Sequence, residues 1–255
     1  MRLISKYGLF ASCLLSFPSA LRAEIGLGMV VENSVIFEAR NEARIPGDGG
    51  TLVDLGAARP NPASYVAPRI YASYQISPRH EIRALWAPLQ LEGRITRPTS
   101  TTFLSESFAA SEEITTFYKF NSYRLGYAYR FEEMRGWNIA LGFTAKIRDA
   151  EIRLSNTEQS ASKKNVGFVP LLHAEARRYL SPNWSVNIDM DGLAAPQGRA
   201  IDLALSAERF VTNFGAGHVL YAYVGYRTVE GGADNDEVYN FAWFNSAVLG
   251  LRGAF

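Results

Sequence analysis

The 255-residue sequence has a single cysteine, Cys13, so no intrachain disulfide can form and the fold must be held by non-covalent contacts. It has no apolar run of the roughly 20 residues that a membrane-crossing helix needs. Almost nowhere does it show the hydrophobic period of an amphipathic helix. Excess positive charge is also missing. The 26 Lys and Arg face 25 Asp and Glu, and Arg2, Lys6 and Arg22 sit in the first 23 residues. Without a positive field nothing attracts a phosphate backbone, which excludes nucleic acid as a partner. Familiar catalytic signatures are absent as well. There is no G-x-S-x-G elbow, and the acidic stretch at Asp234, Asp236 and Glu237 lacks calcium-loop spacing. The turn-rich segment 192–199 has no phosphate-loop context. Neither a metal nor a cofactor is expected.

What is present begins with "MRLISKYGLFASCLLSFPSALRA", which has a basic start, an apolar stretch from Tyr7 to Phe17, a proline and then small residues. That layout predicts a secretory signal peptide over 1–23, cut after Ala23, leaving 24–255 as the mature domain. A lipoprotein reading at Cys13 would require a very short signal and a Phe where Leu is usual.

From Glu24 onward, alternation with period two dominates. In "WNIALGFTAKIR", Trp137, Ile139, Leu141, Phe143, Ala145 and Ile147 alternate with Asn138, Ala140, Gly142, Thr144, Lys146 and Arg148. In "WSVNIDMD", Trp184, Val186, Ile188 and Met190 alternate with Ser185, Asn187, Asp189 and Asp191. The pattern predicts about ten strands, with eight and twelve as the neighbouring even counts. Short connections at 77–80, 132–136, 181–183 and 212–217 alternate with longer ones near 38–64, 92–114, 154–165, 192–199 and 230–237. This segregation fits an all-β, closed antiparallel transmembrane barrel with short periplasmic turns and long external loops.

Three features point the apolar face outward into lipid. The other face carries charges in mid-strand, at Lys146, His173, Glu175, Asp189 and Asp202. Charges on the apolar face occur at strand ends, as Arg178 and Arg209, where an arginine can snorkel. Apolar-face aromatics gather beside the short turns (Tyr74, Tyr127, Tyr129, Phe131, Trp137, Trp184) and near the long-loop ends (Trp86, Phe168, Tyr239, Trp243), as girdles do.

The ending "NSAVLGLRGAF", with Leu249, Leu251 and Phe255 on one face, resembles the C-terminal signal of bacterial outer-membrane β-barrel proteins. The resemblance implies a Gram-negative outer-membrane location among lipid and lipopolysaccharide, and recognition of the last strand by the barrel-assembly machinery. It also implies closure of that strand against the first, in a monomer. Gly253 departs from the pattern, standing where a larger apolar residue is common.

The inward set is expected to comprise Arg69, Arg83, Lys119, Arg124, Arg130, Lys146, Arg148, Glu175, Arg177, Asp189, Asp191, Asp202, Glu208 and Arg227. Crowded in a narrow lumen, such charges must pair with one another. This predicts a structural surface protein or a narrow channel with a charge-filled bore. The competing reading is a membrane-embedded hydrolase acting on protein or modifying lipid, with His173, Glu175, Asp189 and Asp191 as a general-base cluster. It is similar to the omptin proteases in having a D-x-D pair, but no D-x-H pair accompanies it. A third reading is an exported soluble binder of lipocalin type, with its apolar face turned inward.

Overall fold

A computed structural model describes residues 26–255 except 196, 197 and 216, and except the side chains of residues 63 and 64. The expected signal peptide therefore lies outside the described residues. Ten long strands form the molecule: β1 (Leu27–Arg44), β2 (Val66–Ser77), β3 (His80–Ala87 continued by Gln90–Thr96), β4 (Glu113–Arg130) and β5 (Trp137–Ser155), then β6 (Ser160–Ser181), β7 (Trp184–Ala195), β8 (Gly198–Asn213), β9 (Val219–Asp234) and β10 (Tyr239–Ala254). Each pairs antiparallel with its neighbours in the chain, and β1 also pairs with β10 from Gly28↔Ala254 to Arg44↔Tyr239. The sheet is thus a closed barrel, and the last residue is tied in: Leu27 N–H donates to the Phe255 carbonyl at 3.1 Å and receives the return bond at 2.8 Å. Closure satisfies the backbone internally, the condition for a β-structure to sit in hydrocarbon.

One end carries the short turns. One of them is Arg135-Gly136, where both residues have positive φ (53° and 82°) and Met134 and Trp137 exchange backbone hydrogen bonds at 3.0 Å. That is the two-residue hairpin geometry whose twist matches paired strands.

Along the half of the barrel next to these turns, the outward side chains are the apolar set. Leu249, Phe143, Leu125, Leu172, Val224 and Leu205 all stand exposed on it. The inward positions there are charged, including Glu32, Arg69, Arg124, His173, Asp202 and Arg227, all buried. Near the loop end the pattern inverts. On β4 the inward residues change from Arg124 and Ser122 to Tyr118 and Ile114, and on β5 from Thr144 and Lys146 to Ile152 and Leu154. The outward residues change to Lys119, Asp149, Glu151 and Arg153, which pair with one another: Lys119 to Asp149 at 2.8 Å, and Arg153 to Glu151 at 3.7 Å. The barrel therefore has a lipid-type segment below and a water-type segment above, as if two solvents had selected the two halves.

This inversion corrects two expectations. Lys119 points outward, not into the lumen, because it shares parity with lipid-facing Tyr123 and Leu125. The connections near 154–165, 192–199 and 230–237 are mostly strand: β5 and β6 meet across residues 156–159, and β9 and β10 across 235–238. Their outward residues are polar because they stand above the apolar belt, so they read as loops in the sequence.

The long connections that remain, 45–65 and 97–112, fold inward over the mouth. Ile45, Val53, Leu55, Phe103 and Phe108 are buried with Ile114, Tyr118, Ile152, Leu154 and Phe244 in one apolar core. The connections are knit together, since Leu104 N–H bonds to the Ile45 carbonyl at 2.8 Å and Thr51 N–H to that of Thr102 at 2.9 Å. Tyr65 donates its hydroxyl to Glu38.

Candidate functional site

The bore at belt level is filled by one connected ionic layer, to which every strand but β5 contributes a charged side chain; β5 adds only the Thr144 hydroxyl, which donates to Asp191 at 2.9 Å. Asp202 on β8 is its hub. Its Oδ1 accepts from Arg227 Nη1 at 2.6 Å, and its Oδ2 from Arg69 Nη2 at 2.8 Å and Arg124 Nη2 at 2.6 Å. Arg227 also grips Glu32 with two bonds of 3.0 Å, and Tyr223 donates to the same carboxylate at 2.8 Å. Arg124 reaches on to Asp191 at 2.7 Å. Toward the short turns, Arg130 spans Glu81 (3.1 Å) and Glu175 (3.5 Å), and Arg177 spans Glu175 (3.6 Å) and Glu208 (3.3 Å). Arg252 closes the chain with a two-bond grip on Glu208, at 2.6 and 2.7 Å.

Glycine makes part of this possible. A Cβ on Gly250 would lie 2.3 Å from the Tyr223 ring, so only a bare backbone lets that ring lie flat and aim its hydroxyl at Glu32. On the lipid face Gly253 plays a similar role, because a Cβ there would meet the Phe255 ring at 2.7 Å.

The proposed general-base cluster is brought together, but as a pinned lattice. The register sets His173 opposite Asp191 and Glu175 opposite Asp189, so each aspartate is level with its partner on β6. His173 Nδ1 lies 2.9 Å from Asp191 Oδ1, and Arg83 Nη1 bonds to His173 Nε2. A guanidinium can only donate, so Nε2 must accept and Nδ1 must carry the proton given to Asp191. Both ring nitrogens are used, and the ring is 4% exposed. Arg83 also holds Asp189 at 2.8 Å. Ligand-type atoms of His173, Glu175 and Asp189 lie within 4.8 Å of one another, but the Arg83 guanidinium already bonds two of these residues and supplies the positive charge.

Of the charged lumen residues expected from sequence, Arg83, Arg124, Glu175, Arg177, Asp189, Asp202 and Arg227 all lie in this layer. Lys146 and Arg148 face inward on β5 but pair with no carboxylate among the described residues; Arg148 bonds to Asn165. Sequence reasoning missed Glu32, Glu81 and Arg252. Their parity would have revealed them, since each alternates with lipid-facing residues: Val31, Ile82 and Leu251.

Around the outside, Tyr127, Tyr129, Phe131, Trp137 and Trp184 lie at the short-turn border. The Arg178 guanidinium sits 5.5 Å over Trp137 and that of Arg209 5.6 Å over Trp184, an interfacial arrangement in which both charges stay near water. Tyr127 meets Phe143 at 5.5 Å, and Tyr129 meets Phe131 at 5.1 Å. Trp86, Phe168 and Trp243 mark the other border, whereas Tyr239 sits above it beside Arg40 and Arg44. Leu249, Leu251 and Phe255 stand exposed on the lipid face of β10.

A closed antiparallel barrel with a greasy belt, two aromatic borders and a charged bore is an outer-membrane-type β-barrel protein. Among solved structures, the chain is similar to the outer membrane protease OmpT of Escherichia coli, with 11% identity, a TM-score of 0.49, and 90% of this chain and 97% of that one covered. It is also similar to Ail, the attachment invasion locus protein of Yersinia pestis (11%, 0.41, 91% and 99%), and to the Pseudomonas putida toluene transporter TodX (10%, 0.32, 97% and 94%). These are likenesses of barrel form alone. No protein-family model matches the chain, and no curated protein does.

Proposed function

We propose that this protein is an integral outer-membrane barrel whose bore is sealed, acting as a rigid anchor that holds a folded platform on the cell surface. The observation that carries the reading is double closure. The ionic layer fills the bore at belt level, and the apolar core of Phe103, Phe108, Ile45 and their neighbours closes the mouth above it. A conduit needs a continuous wet path, and a lipocalin-type binder needs an apolar pocket inside the barrel at the level that the charges occupy here. A hydrolase needs an accessible base, whereas His173 is buried with both nitrogens engaged.

On this reading the belt meets outer-membrane lipid and lipopolysaccharide, the barrel is monomeric, and export uses residues 1–23. Leu249, Leu251 and Phe255 form the signal read by the assembly machinery. The test is planar-bilayer recording of the purified, folded barrel. The expected result is baseline current across the physiological voltage range; stable ohmic steps would overturn the sealed-bore reading. His173→Ala is expected to lower stability without removing a lipid- or protein-hydrolysing activity.

A further inference from the structure

At the top of the ionic layer two cations are left over. Each carboxylate of the layer, from Glu32 to Glu208, has at least one arginine within 4 Å, yet Lys146 has no such partner among the described residues. Lys146 is 3% exposed, and its ammonium contacts the Phe120 ring at 4.5 Å. Asp202 is within electrostatic reach, but three arginines already hold it. Two residues further along the same inward face, Arg148 bonds to Asn165, and its Nε is buried with no hydrogen-bond partner. Burying an ammonium with no carboxylate beside it is unfavourable, and an orphaned buried donor adds to that. Residues i and i+2 on one face of a strand lie about 7 Å apart, a gap that one tetrahedral oxyanion bridges when it accepts from both.

The wall beside the pair offers a route in. β6 pairs with β7 only from Ser181 down to Leu172↔Gly192, so among the described residues Ser160–Leu171 has no strand partner on that side. Asn165, on the inward face of this free stretch, is exposed, and the bare Gly167 backbone lies against the Arg148 guanidinium, at 3.3 Å from a would-be Cβ.

We propose that Lys146 and Arg148 form a binding site for a phosphate-type oxyanion, reached past the unpaired edge of β6. The oxyanion accepts from the Lys146 ammonium and the free Arg148 Nε–H, neutralising the charge that the carboxylates of the bore leave over. Its source is either free phosphate or the phosphate of a lipid headgroup beside the wall. The site is independent of whether the barrel conducts.

The test uses the whole folded barrel in non-ionic detergent, alongside Lys146→Met and Arg148→Gln. The thermal midpoint is titrated with inorganic phosphate against chloride at matched ionic strength. In parallel, the phosphorus retained after delipidation is measured by native mass spectrometry. A saturable, phosphate-specific rise in midpoint for the parent, weakened about tenfold or more in apparent affinity by either substitution, supports the site with free phosphate as source. One retained phospholipid or lipopolysaccharide per barrel, lost in the variants, supports it with a headgroup as source. A parent that responds to phosphate no more than Lys146→Met does, and retains no more phosphorus, overturns it. Should Lys146→Met fail to fold, Arg148→Gln, at the half-buried upper position, carries the comparison.

Discussion

Asp202→Asn is the sharpest probe of the ionic layer. The carboxylate takes three charge-assisted bonds, of 2.6, 2.8 and 2.6 Å, from three arginines on three other strands. An asparagine keeps one oxygen and turns an NH2 group toward guanidiniums that can only donate. At least one bond of about 1.5–3 kcal/mol is lost, and Arg69, Arg124 and Arg227 are left sharing Glu32 and Asp191. Breaking a buried ion pair from one side costs about 3–5 kcal/mol, and that is the expected loss. The assay is urea unfolding of the barrel in detergent or lipid vesicles, followed by circular dichroism and by the gel mobility difference between folded and unfolded forms. The midpoint should fall with its slope unchanged. Glu113→Gln serves as the control, because its pair with Arg94 at 3.1 Å is more than half exposed on both sides. Its cost should stay below about 1 kcal/mol. If Asp202→Asn were no more costly than Glu113→Gln, the layer would not be holding the barrel together.

Other outcomes follow from the same geometry. Phe108→Ala empties a fully buried position in the apolar core that closes the mouth; it should cost about 3–5 kcal/mol and expose the 97–112 segment to protease while the belt stays folded. Phe143→Arg, within the lipid belt, should cost about 2–4 kcal/mol, and Val166→Arg, 71% exposed where β6 rises above the belt, at most about 1 kcal/mol. Gly250→Val drives a side chain into the Tyr223 ring and should cost about 1–3 kcal/mol; loss of the Tyr223–Glu32 bond would be visible as changed tyrosine fluorescence.

The barrel was legible in the sequence because lipid and lumen impose opposite preferences on alternate residues. Phe143 against Thr144, or Ile188 against Asp189, states a face without any tertiary knowledge. The same logic misplaced Lys119 and the tops of β5, β6 and β9, since there the outside is water and the inside is grease. Period two survives the change of solvent while its sign reverses. Only the unbroken run of β5 to Ser155 shows that Ile152 and Leu154 continue the face of Lys146. The candidate site was legible as a set of charges but not as a circuit. Which arginine meets which carboxylate depends on strand stagger across the bore. Composition therefore named Asp202 and Arg227 without hinting that Glu32, from the first strand, would join them. His173 beside two aspartates reads as catalytic in one dimension; in three, Arg83 sits on its remaining nitrogen.

Which residues of a spanning strand touch lipid decides which way the barrel faces, and single cysteines placed one at a time from Leu141 to Leu154, labelled with a fluorophore and quenched by brominated lipid, measure that directly. The prediction is strong quenching at 141, 143, 145 and 147, weak quenching at 149, 151 and 153, and none at the even positions. Quenching at 144 and 146 in place of 143 and 145 would turn the barrel inside out and contradict the account.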